Sequence, residues 1–259
     1  MEFIGYLALI GIGLILSLIG GGGSLLAVPI LVYIFSLDIV IASSYSLFIV
    51  GTTSLVGALN QRDNRIDIHS GLLFSTCSAL TIFTTRKWIL PSIPDDLIFF
   101  DSVPITKRTL VLTVFALLAI ASSLLVLMRQ GRASSNHGNK RVTLLFPAGI
   151  ITGVAVGFVG AGGGFLILPS LLFFARLPFK IAVGTTLLVI GINSLLGFLG
   201  DVMSHPINWI FLLLITGLAT SGMLLGSHFN KRIPSQLLRL SFGWVMLIVA
   251  LGILAAELF

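Results

Sequence analysis

Two glycine clusters hold the residues of this chain best placed to do chemistry. Residues 19–29 read IGGGGSLLAVP and residues 159–169 read VGAGGGFLILP. A glycine inside a helix costs about 1 kcal/mol relative to alanine, so a run of glycines ends one helix and lets another begin. The first N–H groups of the new helix lack an intrahelical partner and stand at the positive end of its dipole. That makes an anion site without a formal charge, and glycine lets the backbone approach the anion closely. Residues 20–25 and 160–165 are therefore expected to present two such cradles to one point. Gly20, Gly21, Gly22, Gly23 and Ser24 form one; Gly160, Ala161, Gly162, Gly163 and Gly164 form the other. Pro29 and Pro169 follow a turn further on, where a lost N–H is tolerable or a kink useful. Downstream hydroxyls and amides complete the shell: Ser43, Ser44, Thr52, Thr53 and Ser54 after the first cluster, Thr185, Thr186, Asn193 and Ser194 after the second.

The elements that position these groups are membrane helices. Of 259 residues, 56% are hydrophobic and 9% charged, with mean hydropathy +1.12, far from the roughly 25% charged residues of soluble domains. Apolar runs long enough to cross a hydrocarbon core of about 30 Å recur from end to end, without the weak alternation of a barrel. The net charge of +6 sits almost wholly in the links between runs, so it marks topology rather than nucleic-acid binding. The N-terminal run has no basic stretch before it and is read as the first membrane segment, not a cleaved signal. Cys77 is the single cysteine; no disulfide or thiolate metal site can be built from it, and a buried structural thiol is expected. Nothing calls for a cofactor.

The chain is internally repeated. At a constant offset of 140 residues, 19–59 align with 159–199 without a gap: Gly20, Gly22, Gly23, Leu26 and Pro29 meet Gly160, Gly162, Gly163, Leu166 and Pro169. Gly51, Ser54-Leu55 and Gly57 likewise meet Gly191, Ser194-Leu195 and Gly197, and the register breaks only at some ten extra residues around 99–108. The expected organisation is a first transmembrane repeat at 1–128, a basic cytoplasmic linker at 129–142 and a second repeat at 143–259. Each half offers one run ending in the glycines, a short run (Leu25 to Phe35, Phe165 to Ala175) and three longer ones, at about 41–59, 69–85 and 109–128, then 181–199, 207–229 and 237–258. Eleven residues cover about half a bilayer at 1.5 Å per residue, so the short runs are half-helices. Paired interrupted segments in two halves are the sequence mark of a transporter's midplane site. Close helix packing by small residues is the competing explanation, though four near-consecutive glycines cover every helix face.

With the linker inside, Arg176, Lys180, Lys231 and Arg232 fall inside and Asp201 and His205 outside. In the first half Asp38 then falls outside and Arg62 and Arg65 inside, as inverted repeats require. One link dissents, since Arg86, Lys87, Lys107 and Arg108 lie on the expected outside. No ionisable residue falls in the middle of a long run: Asp38, Asp63, Asp67, Asp201 and His69 lie near ends, and Asp38 and Asp201 read as solvated loop residues. A proton relay through buried carboxylates is thus not expected, and coupling to protons, to sodium or to voltage stays open. Asn193 stands out among the shell residues because an amide in hydrocarbon needs a partner; serines and threonines there commonly bond their own backbone.

GGGGSLLAVP followed by ASSYS, and GAGGGFLILP followed by AVGTT, resemble the TauE/SafE family of membrane proteins, described as sulfite and organosulfonate exporters. The resemblance covers essentially the whole chain. It implies an all-α polytopic protein of two repeats and about eight transmembrane helices in a bacterial cytoplasmic membrane, exporting a small sulfur-containing anion such as sulfite or sulfoacetate. Where the family pattern favours Thr-Ser, the first half has Ser43-Ser44-Tyr45-Ser46. Transport of another small carboxylate or inorganic anion, or an anion channel, is the alternative. An intramembrane serine protease is disfavoured because Ser24 is matched by Gly164, and a nucleotide site because no Lys-Ser/Thr follows the glycines.

Overall fold

The computed structural model describes residues 2–60, 66–90, 92, 96–100, 103–128, 142–159, 163–202, 207–230 and 233–258. Among the described residues ten α-helices carry the fold: α1 (Glu2–Ile19), α2 (Gly22–Tyr33), α3 (Ile39–Leu59), α4 (Ile68–Thr84), α5 (Lys107–Met128), α6 (Val142–Val159), α7 (Gly164–Phe173), α8 (Phe179–Val202), α9 (Trp209–Asn230) and α10 (Ser235–Leu258). A π-turn, Thr85–Ile89, continues α4. Among the described residues, α3, α5, α8, α9 and α10 contain stretches long and apolar enough to cross a membrane. The half-length segments are real: α2 has 12 residues and α7 has 10, about 18 and 15 Å.

The expectation of an all-helical chain needs one correction. The extra residues around 99–108 include an antiparallel hairpin, β1 (Asp96–Phe100) with β2 (Val103–Thr106). The DLIFF and VPIT segments are rich in β-branched and aromatic residues, which favour a strand once no helical register is imposed.

The helix ends follow from local chemistry. Asp38 caps α3 by accepting from Val40 N at 2.8 Å, and Asp67 caps α4 by accepting from Ser70 N at 3.1 Å, each holding an otherwise orphaned amide. Both half-helices end the same way. Ser36 and Arg176 adopt φ 53°, and the next amide reaches back six residues, Leu37 N to Leu31 O at 3.1 Å and Leu177 N to Leu171 O at 3.5 Å, a left-handed closure one residue wider than a Schellman turn.

Packing is close because glycines line the seams. α1 lies on α9 and α6 on α4. Gly222 faces the Ile10 carbonyl and Gly226 that of Leu14, while Gly149, Gly153 and Gly157 of α6 face Phe74, Ser78 and Thr85 in turn. These small-xxx-small stripes let backbones touch where lipid supplies no hydrophobic drive. Gly222→Ala is expected to cost about 1–3 kcal/mol by overpacking, whereas Gly217→Ala in the same helix, with open space around its Cα, should be neutral or stabilise by up to about 1 kcal/mol. Thermal unfolding in detergent separates the two signs.

α1 and α2 form a hairpin, with Gly23 against Ile12 and Leu16 near its tip and Gly5 against Ile34 and Phe35 at its base. At the centre α3 and α8 run antiparallel. Gly51 receives Leu195 and Gly191 receives Leu55; Gly57 meets Leu187 and Gly197 meets Leu47. Every one of these contacts returns with the halves exchanged.

Candidate functional site

The two glycine breaks meet. A Cβ on Gly21 would overlap the Gly164 carbonyl, and one on Gly164 would lie 2.6 Å from Gly21 Cα, so the two backbones touch. Gly20 and Gly163 hold φ 75° and 74°, which side chains rarely tolerate. Gly22 leads α2, and Gly23 packs on α1. The ladder of α7 starts with Leu166 N and Ile167 N on Gly163 O, both at 2.9 Å, so the N–H groups of Gly164 and Phe165 lie ahead of it. Ser24 bonds back into the break, donating to Gly21 O at 2.7 Å, so its hydroxyl proton is already used. Gly160, Ala161 and Gly162 lie outside the described residues, as do Asp63 and the linker 129–141.

Thr186 belongs to this meeting point. Val183 packs on Gly20 and Ile190 on Gly164; residues at i, i+3 and i+7 share a helix face, so Thr186 faces the tips. Its hydroxyl is fully buried and without a hydrogen-bond partner among the described residues, as are those of Ser46, Ser54, Ser194 and Thr85. Ser46 and Thr186 occupy matching places 140 residues apart, and so do Ser54 and Ser194. Buried hydroxyls ordinarily find a partner, which sets these apart from the other hydroxyls of α3 and α8.

Other expected shell residues do different work. Asn193 accepts from Ser75 Oγ at 3.1 Å and donates to Ser78 Oγ at 2.7 Å, which ties α8 to α4. Thr185 donates to Ile181 O at 2.8 Å and accepts from Asp67 N at 2.9 Å. Thr52 bonds Phe48 O at 2.7 Å, and Thr53 pairs with Thr220 at 3.5 Å. The structure brings Ser43 and Ser44 to a second centre, which the sequence reading missed.

That centre is Arg86. Its side chain is 0% exposed and paired with Asp201, which is 7% exposed. The guanidinium grips the carboxylate at both oxygens, Nε to Oδ1 at 3.1 Å and Nη2 to Oδ2. Nη1 and Nη2 each donate to Ser43 Oγ at 3.0 Å, Nη2 also to Ser44 Oγ at 3.2 Å, and Nη1 to Gly157 O at 3.4 Å. Ser44 donates to Asp201 Oδ2. Desolvating such a pair costs several kcal/mol per ion, which only this complete set of partners offsets. Arg86 sits on the π-turn, an irregularity common at functional sites.

Three expectations are corrected. Asp201 is not a solvated loop residue, because α8 runs on to Val202 and α4 through the π-turn, so both charges lie inside the bundle although each ends an apolar run. Asp38, the cap of α3, is exposed as expected. Arg86 no longer counts among the dissenting loop charges, since Asp201 neutralises it. Cys77 is half-buried rather than buried, because it lies at the edge of the α4–α6 seam beside Gly149. The available signal was a lone acid, Asp201, and the basic pair Arg86-Lys87, each ending an apolar run on the same expected side.

Apolar helices around a buried ion pair, two of them half-length behind glycine breaks, define a polytopic membrane protein. Residues 6–253 match the family described as sulfite exporter TauE/SafE. Two probable membrane transporter proteins of Xylella fastidiosa, from strains 9a5c and Temecula1, are 30% and 31% identical, each over 94% of this chain and 91% of the relative. A third, YunE of Bacillus subtilis, is 23% identical over 95% of both chains. No solved structure matches. The chain belongs to the TauE/SafE family and is a multi-pass membrane transporter; family and relatives carry the names of transporters, not enzymes.

Proposed function

We propose that this transporter exports a small sulfur-containing anion, sulfite or an organosulfonate such as sulfoacetate, by alternating access between two inverted repeats. The observation that carries the reading is the meeting of the two glycine breaks, backbone against backbone, with the unpartnered Thr186 hydroxyl facing them. Amide N–H groups and hydroxyls at that point suit an oxyanion without holding it by a fixed charge. The antiparallel α3–α8 pair, whose contacts exchange at an offset of 140, supports inverted repeats bounded by the 129–142 linker. The eight longer helices are then the spans and α2 and α7 the half-helices. Residues 20–23, Gly163, Gly164, Thr186 and Ser194 line the substrate's route, and a rocking of one repeat against the other opens it to either side.

The test is uptake of labelled sulfite, sulfate, sulfoacetate and taurine by proteoliposomes of the pure protein under imposed proton, sodium or voltage gradients. Saturable flux of one sulfur anion, competed by its relatives and driven by one gradient, is expected. Unitary conductance without saturation would make the protein a channel, and absence of flux for all four would end the sulfur-anion assignment.

A further inference from the structure

The fold does not require the Arg86 cluster. Residues matching its members at the 140 offset are Val183 for Ser43, Gly184 for Ser44, Gly226 for Arg86 and Gln61 for Asp201, none with a charged side chain. At Val183 and Gly226 the other half packs its helices without a charged side chain. Buried pairs rarely stabilise better than well-packed apolar side chains, and an ionisable group within membrane helices marks function by default.

Its geometry says what it recognises. The planar fork of Arg86 holds a carboxylate at both oxygens while Ser43 and Ser44 crowd the Nη edge. That is an oxyanion-recognition geometry, indifferent to whether the oxygens belong to carbon or to sulfur. Donor capacity is left over. Thr85 Oγ1, beside Arg86 in sequence and against Gly157, is fully buried with no partner among the described residues, and so is Ser46, one turn along α3 from Ser43. The guanidinium also reaches Gly157 O, one turn before the second glycine break. Of the two charges only Asp201 has some exposure, 7% against 0%, so the carboxylate is the less enclosed partner and the one placed to leave.

We infer that Arg86, with Ser43, Ser44 and Thr85, is a subsite for the transported oxyanion, filled in this state by the Asp201 carboxylate, which the incoming anion displaces. The inference rests on the proposed anion transport. It also resolves the objection to a fixed cation on an anion's path: an unopposed buried arginine would hold its ligand too long, whereas a tethered carboxylate competes for the same fork and releases it.

The test compares wild type, Asp201→Asn and the charge-free Arg86→Gln/Asp201→Asn pair in detergent. Each is titrated with sodium sulfite, sulfate and sulfoacetate, against sodium chloride at equal ionic strength, with unfolding temperature and binding isotherms as readouts. Asp201→Asn is expected to unfold at lower temperature than wild type, to be restored by an oxyanion and not by chloride, and to bind it at least about tenfold more tightly, the direction required when a competing anion is removed. The charge-free pair should fold and show no oxyanion effect. Equal affinity in Asp201→Asn and wild type, wild-type binding by the charge-free pair, or no binding by any of the three overturns the subsite. Should Asp201→Asn fail to fold, Thr85→Val, which removes a hydroxyl that does not bond Asp201 and so keeps the ion pair, must weaken oxyanion binding several-fold; unchanged affinity there also overturns it. Wild-type flux with binding insensitive to these changes removes the subsite and leaves transport standing. Binding that follows the expected pattern without wild-type flux removes transport and leaves the subsite.

Discussion

Arg86→Leu is expected to destabilise the protein by about 3–5 kcal/mol, enough to abolish most folded material at the stabilities proteins usually have. The loss comes from what remains. Asp201, inside the bundle at the end of α8, would keep a negative charge with only Ser44 to satisfy it. Arg86→Leu combined with Asp201→Leu is expected to recover most of the loss, because two apolar side chains leave no uncompensated charge. Ser43 and Ser44 are not orphaned by the change, since both hydroxyls reach Val40 O, at 2.9 and 3.0 Å. Thermal unfolding of the singles and the double in detergent measures the coupling directly. A double variant no more stable than Arg86→Leu would mean that packing at this point, not charge, carries the effect.

Gly21→Ala and Gly164→Ala are expected to abolish flux while leaving helical content unchanged. One methyl group at either place lands on backbone of the opposite hairpin, and backbone cannot give way as the end of a flexible side chain can. Overpacking of about 3 kcal/mol would empty the arrangement in which the tips meet by roughly two orders of magnitude. The sequence alone suggests valine at Gly22 or Gly162 for the same purpose; the contact between the tips makes alanine sufficient and moves the test to Gly21 and Gly164. Transport and circular dichroism of the purified variants, with Gly217→Ala as the matched control, decide it. Wild-type flux from Gly164→Ala would remove the meeting of the tips from the mechanism.

Much of the fold is legible in the sequence because hydrocarbon leaves few choices. A backbone that finds no water must bond to itself, so each long apolar run becomes a helix, and the runs from 41–59 to 237–258 reappear as α3 to α10 within two or three residues. Glycine breaks are equally local, since conformational cost acts on the residue itself. The hairpin at 96–106 escaped because the eye for apolar runs reads length, while a short β-prone segment between spans shows its preference only when no helix claims it.

The candidate site divides along the same line. By itself, the sequence determined the membrane-spanning class, the glycine interruptions, the internal match at 140 residues and the kinds of donor available near each break. Those are properties of composition and of neighbours along the chain. Only the tertiary structure decided that Gly21 meets Gly164, that Thr186 faces them while Asn193 ties α8 to α4, and that Arg86 finds Asp201 across 115 residues. A charge that ends an apolar run looks solvated from either side in one dimension. Whether it is depends on the helices that close over it, and that is a property of packing in three.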